Sequence, residues 1–135
     1  MTKMHVTYRG SLRTEATHLD SGATLITDAP KDNQGEGQSF SPTDLLATSL
    51  ASCMLTIMGI KARSLALSID GTTCEVEKIM QAAPRKVAEI KVRVRLQGSP
   101  LTAEQQDQLT RAALACPVFL SLDPALTKTI EWERA

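Results

Sequence analysis

The chain has 135 residues, of which 42% are hydrophobic and 22% are charged, and its formal net charge is zero. This length and composition predict a single globular domain over residues 1–135 and exclude a disordered protein. A nucleic-acid partner is not expected, because only 3% of the residues are aromatic and no basic excess is present.

Residue patterning in chain order predicts three strands, a helix, two strands, a second helix and a last edge strand. Alternation and turn residues place strands at 4–8, 11–18, 23–27, 66–80, 87–96 and 127–133, with an exposed polar loop over 30–39. The order of the elements favours an α+β domain.

The first predicted helix begins with strong start signals. Ser41 suits the N-cap, Pro42 suits the first helical position, and Asp44 can complete a capping box. The body over 45–60 has almost no polar face, so it is expected to be buried on all sides. One layer of sheet covers only one side of a helix, and we expect a second subunit to cover the other.

The location of the protein is expected to be cytoplasmic. The first ten residues carry Lys3, His5 and Arg9 and lack the apolar segment of an export signal. The uncharged stretch between Asp44 and Lys61 is short and rich in Ala, Ser and Thr, so no membrane span or membrane partner is expected.

The second predicted helix starts at a capping box formed by Thr102 and Gln105 and extends to about Ala115. Pro117 should end or kink it, because proline disrupts a helix interior. Cys116 is therefore expected at a helix C-terminus, in a half-exposed position that can move.

Three cysteines are present, and their number and spacing argue against structural roles that need pairs. Cys53, Cys74 and Cys116 are far apart and odd in number, which does not suggest a disulfide framework. No CxxC pair exists, and His5 and His18 lie in the first strands, so no metal site is expected.

The position of each cysteine in the predicted elements indicates its role. Cys53 lies inside the apolar helix, where composition alone favours a core-filling role. Cys116 should stay a thiol, because a helix C-terminus disfavours the thiolate. Cys74 lies in an alternating strand and is interpreted as structural.

A cation from elsewhere would be needed to ionise Cys53, since a helix interior gains little from the helix dipole. Arg9 and Arg13 in the first hairpin are candidates, and so is Arg63. Each is more often a solvated surface charge, so spacing alone leaves the choice open.

Two motifs in this order and spacing resemble the OsmC/Ohr family over essentially the whole chain. Ser41-Pro42-Thr43-Asp44-Leu45-Leu46, leading through Ala51-Ser52-Cys53, resembles the helix that holds the family's peroxidatic cysteine. Ala115-Cys116-Pro117-Val118 resembles the family's second cysteine motif.

The resemblance implies an OsmC-like fold, with antiparallel sheets packed around two central helices, in an intertwined homodimer whose active sites lie at the subunit interface. It implies a peroxidase acting on organic hydroperoxides, in which Cys53 becomes a sulfenic acid and Cys116 forms a disulfide with it. An external dithiol, such as a lipoylated protein, would reduce that disulfide. No bound cofactor is needed, because sulfur carries the redox chemistry.

The resemblance also suggests further site residues. The family's thiolate-stabilising arginine is best matched by Arg13, with Arg9 second. The apolar surroundings of Cys53 predict a substrate pocket formed by Leu50, Met54 and Ile57, which would favour bulky organic hydroperoxides.

One position departs from the family pattern. Many members carry a glutamate directly after the proline of the first motif, paired with the arginine, whereas this chain has Thr43. Asp44 follows it, and helix capping fully explains that carboxylate. The departure supports an alternative hypothesis, a redox-sensing or binding protein that keeps the fold and both cysteines but has little peroxidase turnover.

Overall fold

The computed structural model describes residues 1–134. The chain divides into two compact units, one spanning Met1–Leu46 and the other beginning at Ala47. The prediction that the chain forms one domain is not tested by this division and stays a prediction.

The first unit contains a three-stranded antiparallel sheet. Its strands are β1 (Met4–Gly10), β2 (Arg13–His18) and β3 (Thr24–Asp28), in the order β1-β2-β3. The second strand starts two residues later than predicted, because Ser11 and Leu12 both have positive φ angles and form the turn. The three predicted strands are otherwise confirmed.

One face of this sheet carries several exposed apolar side chains beside His18 and Thr14. The register places Val6, Ala16 and Leu25 in one row across the three strands. Side chains two residues apart share a face, so Met4 and Tyr8 lie on the same face as Val6. All of these except Ala16 are exposed, and Met4, Val6 and Tyr8 each expose more than 60% of their surface. Exposed apolar patches of this kind are common at protein–protein contact surfaces.

The first helix, α1 (Pro42–Ser64), begins as the sequence predicts. The Asp44 amide donates to Ser41 Oγ at 3.1 Å, and the Ser41 amide donates to Asp44 Oδ2 at 2.9 Å. This reciprocal pair is the predicted capping box.

The body of α1 buries one stripe rather than its whole surface. The buried residues recur at helical spacing and are Ala47, Leu50, Ala51, Met54, Met58 and Ala62. Away from this stripe, Thr56 is exposed and Ile60 exposes 60% of its surface. A single chain therefore leaves much of this apolar helix without cover.

The sequence-based expectation that this stretch is too short for a membrane span needs correction. The helix Pro42–Ser64 has 23 residues and a mean hydropathy of 1.6 over its most apolar window, which is enough by length and composition to cross a bilayer. The core helix of a soluble protein meets the same criterion, and α1 contributes six buried residues to the core.

The second unit contains a sheet in the order β4-β5-β6, with β4 (Thr73–Ala82), β5 (Arg85–Leu96) and β6 (Thr127–Arg134). Strands β4 and β5 are antiparallel, as expected, but β6 pairs with β5 in parallel. The two parallel strands are separated along the chain by helices, which is the crossover that parallel pairing requires.

Strand β5 has one buried face and one wet face, as its alternation predicts. Ile90, Val92, Val94 and Leu96 are buried, whereas Lys91, Arg93 and Arg95 are exposed. The strand before it begins at Thr73 instead of the predicted residue 66. The chain turns first, with positive φ angles at Ala66 and Gly71.

The second helix, α2 (Ala103–Leu114), has the predicted capping box. The Gln105 amide donates to Thr102 Oγ1 at 3.1 Å, and the Thr102 amide donates to Gln105 Oε1 at 2.9 Å. Leu109 and Ala113 of α2 join the buried stripe of α1 and the apolar face of β5 in one core.

Two main helices and two sheets confirm the α+β class. The predicted dimer is not tested by a single chain.

Candidate functional site

Cys53 lies in the middle of α1, beside the buried stripe rather than on it. Its neighbour Met54 is fully buried, whereas Cys53 is half-buried and packs against the edge of the core. The helix thus presents this thiol at the border between the core and the uncovered side.

Cys116 is placed differently from its sequence-based prediction. It is fully buried, not half-exposed, and it begins a helix instead of ending one. Ala115 caps the C-terminus of α2, and Cys116 is the N-cap of a short helix, α3 (Pro117–Ser121). Pro117 occupies the first position of α3, where proline is favoured, so it starts a helix immediately after the break.

The Cys116 sulfur serves as the capping atom of α3. The Phe119 amide donates to Cys116 Sγ at 3.4 Å. Serine, threonine, asparagine and aspartate are the usual N-cap residues, and here a thiol takes that place. This contact fixes the direction of the Cys116 side chain.

The side chains of Cys53 and Cys116 are neighbours in the second unit, close enough for Cys53 to affect the ionisation of Cys116. Burial raises the pKa of the Cys116 thiol above its ordinary value, and the neighbouring Cys53 raises this pKa further. The backbone amides of Phe119 and Val118 lower the pKa by a smaller margin than burial raises it. Cys116 therefore keeps its proton at neutral pH and can donate it toward the Cys53 sulfur. The sequence-based reason, a helix C-terminus, is wrong, because burial keeps the thiol protonated.

Cys74 is the third free cysteine and lies in β4, opposite Val94. Burial raises the pKa of its thiol to about 11. Such a thiol is a poor nucleophile near neutral pH, because the thiolate is the reactive form. This environment agrees with the structural interpretation of Cys74.

Arg13 begins β2 and is held by a polar cluster within the first unit. Its Nη2 donates to Glu36 Oε2 at 2.9 Å and to Gln38 Oε1 at 2.6 Å. Its Nε lies 3.6 Å from Oδ1 of Asp28, the residue directly opposite on β3. Carboxylates thus accompany this arginine although Thr43 occupies the family's glutamate position.

Asp28, Glu36 and Gln38 were not identified from the sequence. The register that places Asp28 opposite Arg13 depends on the connection between β2 and β3, residues 19–23, and residue types alone do not fix how the two strands align across it. Glu36 and Gln38 lie in a polar loop, where charged and amide side chains are usually solvated.

The other candidate arginines have different surroundings. Arg9 exposes 56% of its side chain and forms an ion pair with Glu15 at 2.8 Å. Arg63 lies exposed in the last turn of α1. Arg13 belongs to the first unit and Cys53 to the second, and their interaction stays a prediction.

The predicted substrate residues differ in their exposure. Leu50 and Met54 belong to the buried stripe of α1 and have no exposed surface, whereas Ile57 is half-buried, one turn after Cys53. Contact between these residues and a substrate stays a prediction. Of the three side chains, only that of Ile57 is partly exposed.

Metal ligands are not clustered in the part of the chain that the structure describes. Among residues 1–134, no group of three or more His, Cys, Asp or Glu side chains could hold a metal ion.

Comparison with solved structures shows where this fold occurs. A candidate osmotic stress induced and detoxification response protein from Psychrobacter arcticus is 51% identical, with a TM-score of 0.94, and the match covers 98% of this chain and 96% of that one. The organic hydroperoxide resistance protein OhrB of Bacillus subtilis is 18% identical, with a TM-score of 0.66 and coverage of 100% and 98%.

A Legionella pneumophila structure described as "an organic hydroperoxide resistance protein OsmC, predicted redox protein, regulator of sulfide bond formation" is 19% identical, with a TM-score of 0.74 and coverage of 98% and 96%. A comparison with curated proteins found no match. The family model described as OsmC-like protein matches residues 35–131, which is well over half of the sequence. The chain belongs to the OsmC-like protein family.

Proposed function

We propose that this protein is a thiol peroxidase that reduces organic hydroperoxides, with Cys53 as the nucleophile and Cys116 as the resolving cysteine. The observation that carries the proposal is that the two thiol side chains are neighbours in the second unit. The names of the Bacillus and Legionella proteins of the same fold, both called organic hydroperoxide resistance proteins, support it.

The proposed reaction starts with the Cys53 thiolate. Its sulfur attacks the distal oxygen of ROOH, the O–O bond breaks, and the alcohol ROH leaves after taking up a proton. Cys53 is thereby oxidised by two electrons to a sulfenic acid, and the peroxide is reduced by the same two electrons.

Cys116 then resolves the sulfenic acid. Its sulfur attacks the Cys53 sulfur, the S–O bond breaks, and the leaving hydroxide takes the Cys116 proton to form water. The raised pKa of Cys116 suits this order, because the thiol keeps its proton until the leaving group needs it. An external dithiol, such as a lipoylated protein, regenerates both thiols by exchange.

Arg13 is the proposed stabiliser of the Cys53 thiolate. A nearby guanidinium lowers the cost of the negative charge on sulfur. Arg9 is the weaker candidate, because its exposed pair with Glu15 leaves it in solvent. Arg13 is more enclosed and is oriented by its neighbours.

A homodimer is part of the proposal. The open apolar face of the first sheet, with Met4, Val6 and Tyr8, needs a partner surface, and so does the uncovered side of α1 near Ile60. In the proposed intertwined dimer, the active sites lie at the subunit interface. A cytoplasmic location suits a protein whose cysteines are all free thiols.

The test is a panel of peroxides assayed with two reductants. Cumene, tert-butyl and fatty-acid hydroperoxides and hydrogen peroxide are each supplied with dithiothreitol or with a lipoylated protein. Steady consumption of the organic peroxides supports the proposal. Oxidation of one equivalent without further turnover would instead support the redox-sensing protein that Thr43 suggests.

A further inference from the structure

We infer that Asp28 positions Arg13 for its role at the thiolate and supplies the carboxylate that is missing at Thr43. The inference rests on the proposed function, in which Arg13 serves Cys53. Its structural basis lies wholly within the first unit of the chain.

The backbone register places Asp28 directly beside Arg13. The two residues are partners across the β2–β3 pair, so their side chains leave the same face of the sheet. Arg13 Nε and Asp28 Oδ1 are 3.6 Å apart. The Gln38 amide donates to the other oxygen, Asp28 Oδ2, at 3.0 Å and holds the carboxylate in place.

Burial makes this carboxylate a strong anchor. The Asp28 side chain is only 1% exposed, and its Oδ1 has no hydrogen-bond partner among residues 1–134. A buried carboxylate oxygen without a donor is costly, and the facing guanidinium offsets that cost. Asp28 therefore favours the position of Arg13 in which Nε points toward it.

Glu36 is a weaker candidate for the same role, although its bond to Arg13 is shorter. Its carboxylate lies 2.9 Å from Arg13 Nη2, but its side chain is 68% exposed and belongs to the polar loop. Exposed ion pairs contribute little, because water competes for both partners. Glu36 can leave Arg13 at little cost, whereas Asp28 is built into a strand.

The test compares three carboxylate-to-amide variants of the full-length protein, Asp28→Asn, Glu36→Gln and the control Glu15→Gln, beside Arg13→Ala. Glu15 suits the control because it pairs with the alternative arginine, Arg9, at 2.8 Å. Two quantities are measured. One is the NMR signal of the Arg13 Nε–Hε group and its exchange with water. The other is the rate of Cys53 alkylation as a function of pH.

We expect Asp28→Asn to speed the exchange of Arg13 Hε and to slow Cys53 alkylation at neutral pH by about tenfold, since small displacements of a positioned group have effects of this size or larger. The pH profile of Cys53 alkylation should move to higher pH, as in Arg13→Ala. The double variant Asp28→Asn/Arg13→Ala should move this profile no further than Arg13→Ala alone. Glu36→Gln should give a smaller change, and Glu15→Gln should give none.

The outcomes separate this inference from the proposed function. If Arg13→Ala moves the profile upward but Asp28→Asn leaves it unchanged or moves it downward, Asp28 does not position Arg13 and the proposed function stands. If Arg13→Ala itself has no effect, the proposed role of Arg13 fails, and the Hε exchange alone decides whether Asp28 orders the arginine. If Asp28→Asn does not fold, Asp28→Ser is measured with the same expectations. The serine lacks the negative charge, but its hydroxyl can still accept a hydrogen bond from the Gln38 amide.

Discussion

Cys116 has two neighbours at its sulfur atom: the side chain of Cys53, which raises the pKa of the Cys116 thiol, and the backbone amide of Phe119, which donates a hydrogen bond to Sγ. The first contact brings together the two cysteines that the family resemblance pairs. The second anchors the Cys116 sulfur to the first turn of α3.

Cysteine substitutions should give distinct phenotypes. Cys53→Ser should abolish peroxide consumption, because no thiolate remains to attack the peroxide. Cys116→Ser should react once, give a sulfenic acid that a dimedone-type probe traps, and then overoxidise. Cys74→Ser is the control and should keep nearly full turnover. After one equivalent of peroxide, mass spectrometry of the wild type should show a Cys53–Cys116 disulfide within one chain. A Cys53–Cys74 bond would overturn the assignment.

Replacing the two hairpin arginines should have unequal effects. Arg13→Ala should slow peroxide consumption by about tenfold or more, because the thiolate loses its stabilising charge. Arg9→Ala should change the rate far less, because Arg9 is bound to Glu15 at the surface. Stopped-flow measurement of the first turnover compares them directly. If Arg9→Ala slowed the reaction more than Arg13→Ala, Arg9 would be the arginine that stabilises the Cys53 thiolate.

Substrate preference should follow the apolar surroundings of Cys53. Each buried methylene contributes about 0.8 kcal/mol, so cumene hydroperoxide should be preferred over hydrogen peroxide by tenfold or more in kcat/KM. Ile57→Ser should reduce the preference for cumene hydroperoxide and leave the rate with hydrogen peroxide nearly unchanged, because the Ile57 side chain is partly exposed one helical turn from Cys53. Equal rates with both peroxides in the wild type would contradict the apolar pocket.

The open face of the first sheet should control assembly. Val6→Glu places a charge in the middle of this face and should yield monomers or poorly folded protein, because burying an unpaired charge is costly. Val6→Thr is the control of matched shape and should still dimerise. Light scattering measures both. A wild-type chain that is a stable, folded monomer at micromolar concentration would refute the dimer.

Cys74 is half-buried, and its thiol should ionise only at high pH. With a pKa of about 11, roughly one thousandth of it is thiolate at pH 8. Alkylation of folded Cys74 should therefore be very slow at pH 8 and rise steadily toward pH 11, whereas unfolded protein should react readily above pH 9. Its thiol favours the folded state most below pH 9, and this contribution is lost as the pH rises from 9 to 11. Fast alkylation of Cys74 in folded protein at pH 8 would contradict its burial.

Local signals in the sequence predicted most of the fold. Both capping boxes, at Ser41 and at Thr102, form as their residue types indicate, because each depends on residues only three positions apart. The alternation in β5 correctly separated the buried face from the charged one. The late start of β4 and the parallel pairing of β6 were missed, since backbone turns and strand partners depend on residues far away along the chain.

The candidate site could be predicted in part. The residue types and motifs identified Cys53 and Cys116, but the break before Pro117 suggested a mobile, half-exposed thiol where the structure has a buried one. The sequence could not show that the chain re-enters a helix at once. The acidic partner of Arg13 was also hidden, because Asp28 reaches it only through the pairing of two strands.

Cys116 has two properties, the capping of α3 and the chemistry of its sulfur, and a substitution can remove one without the other. Serine is among the best N-cap residues, so a serine at position 116 would keep the start of α3 and lose the sulfur chemistry, whereas an alanine would lose both. Comparing the serine and alanine variants therefore separates the loss of the thiol from the loss of the cap.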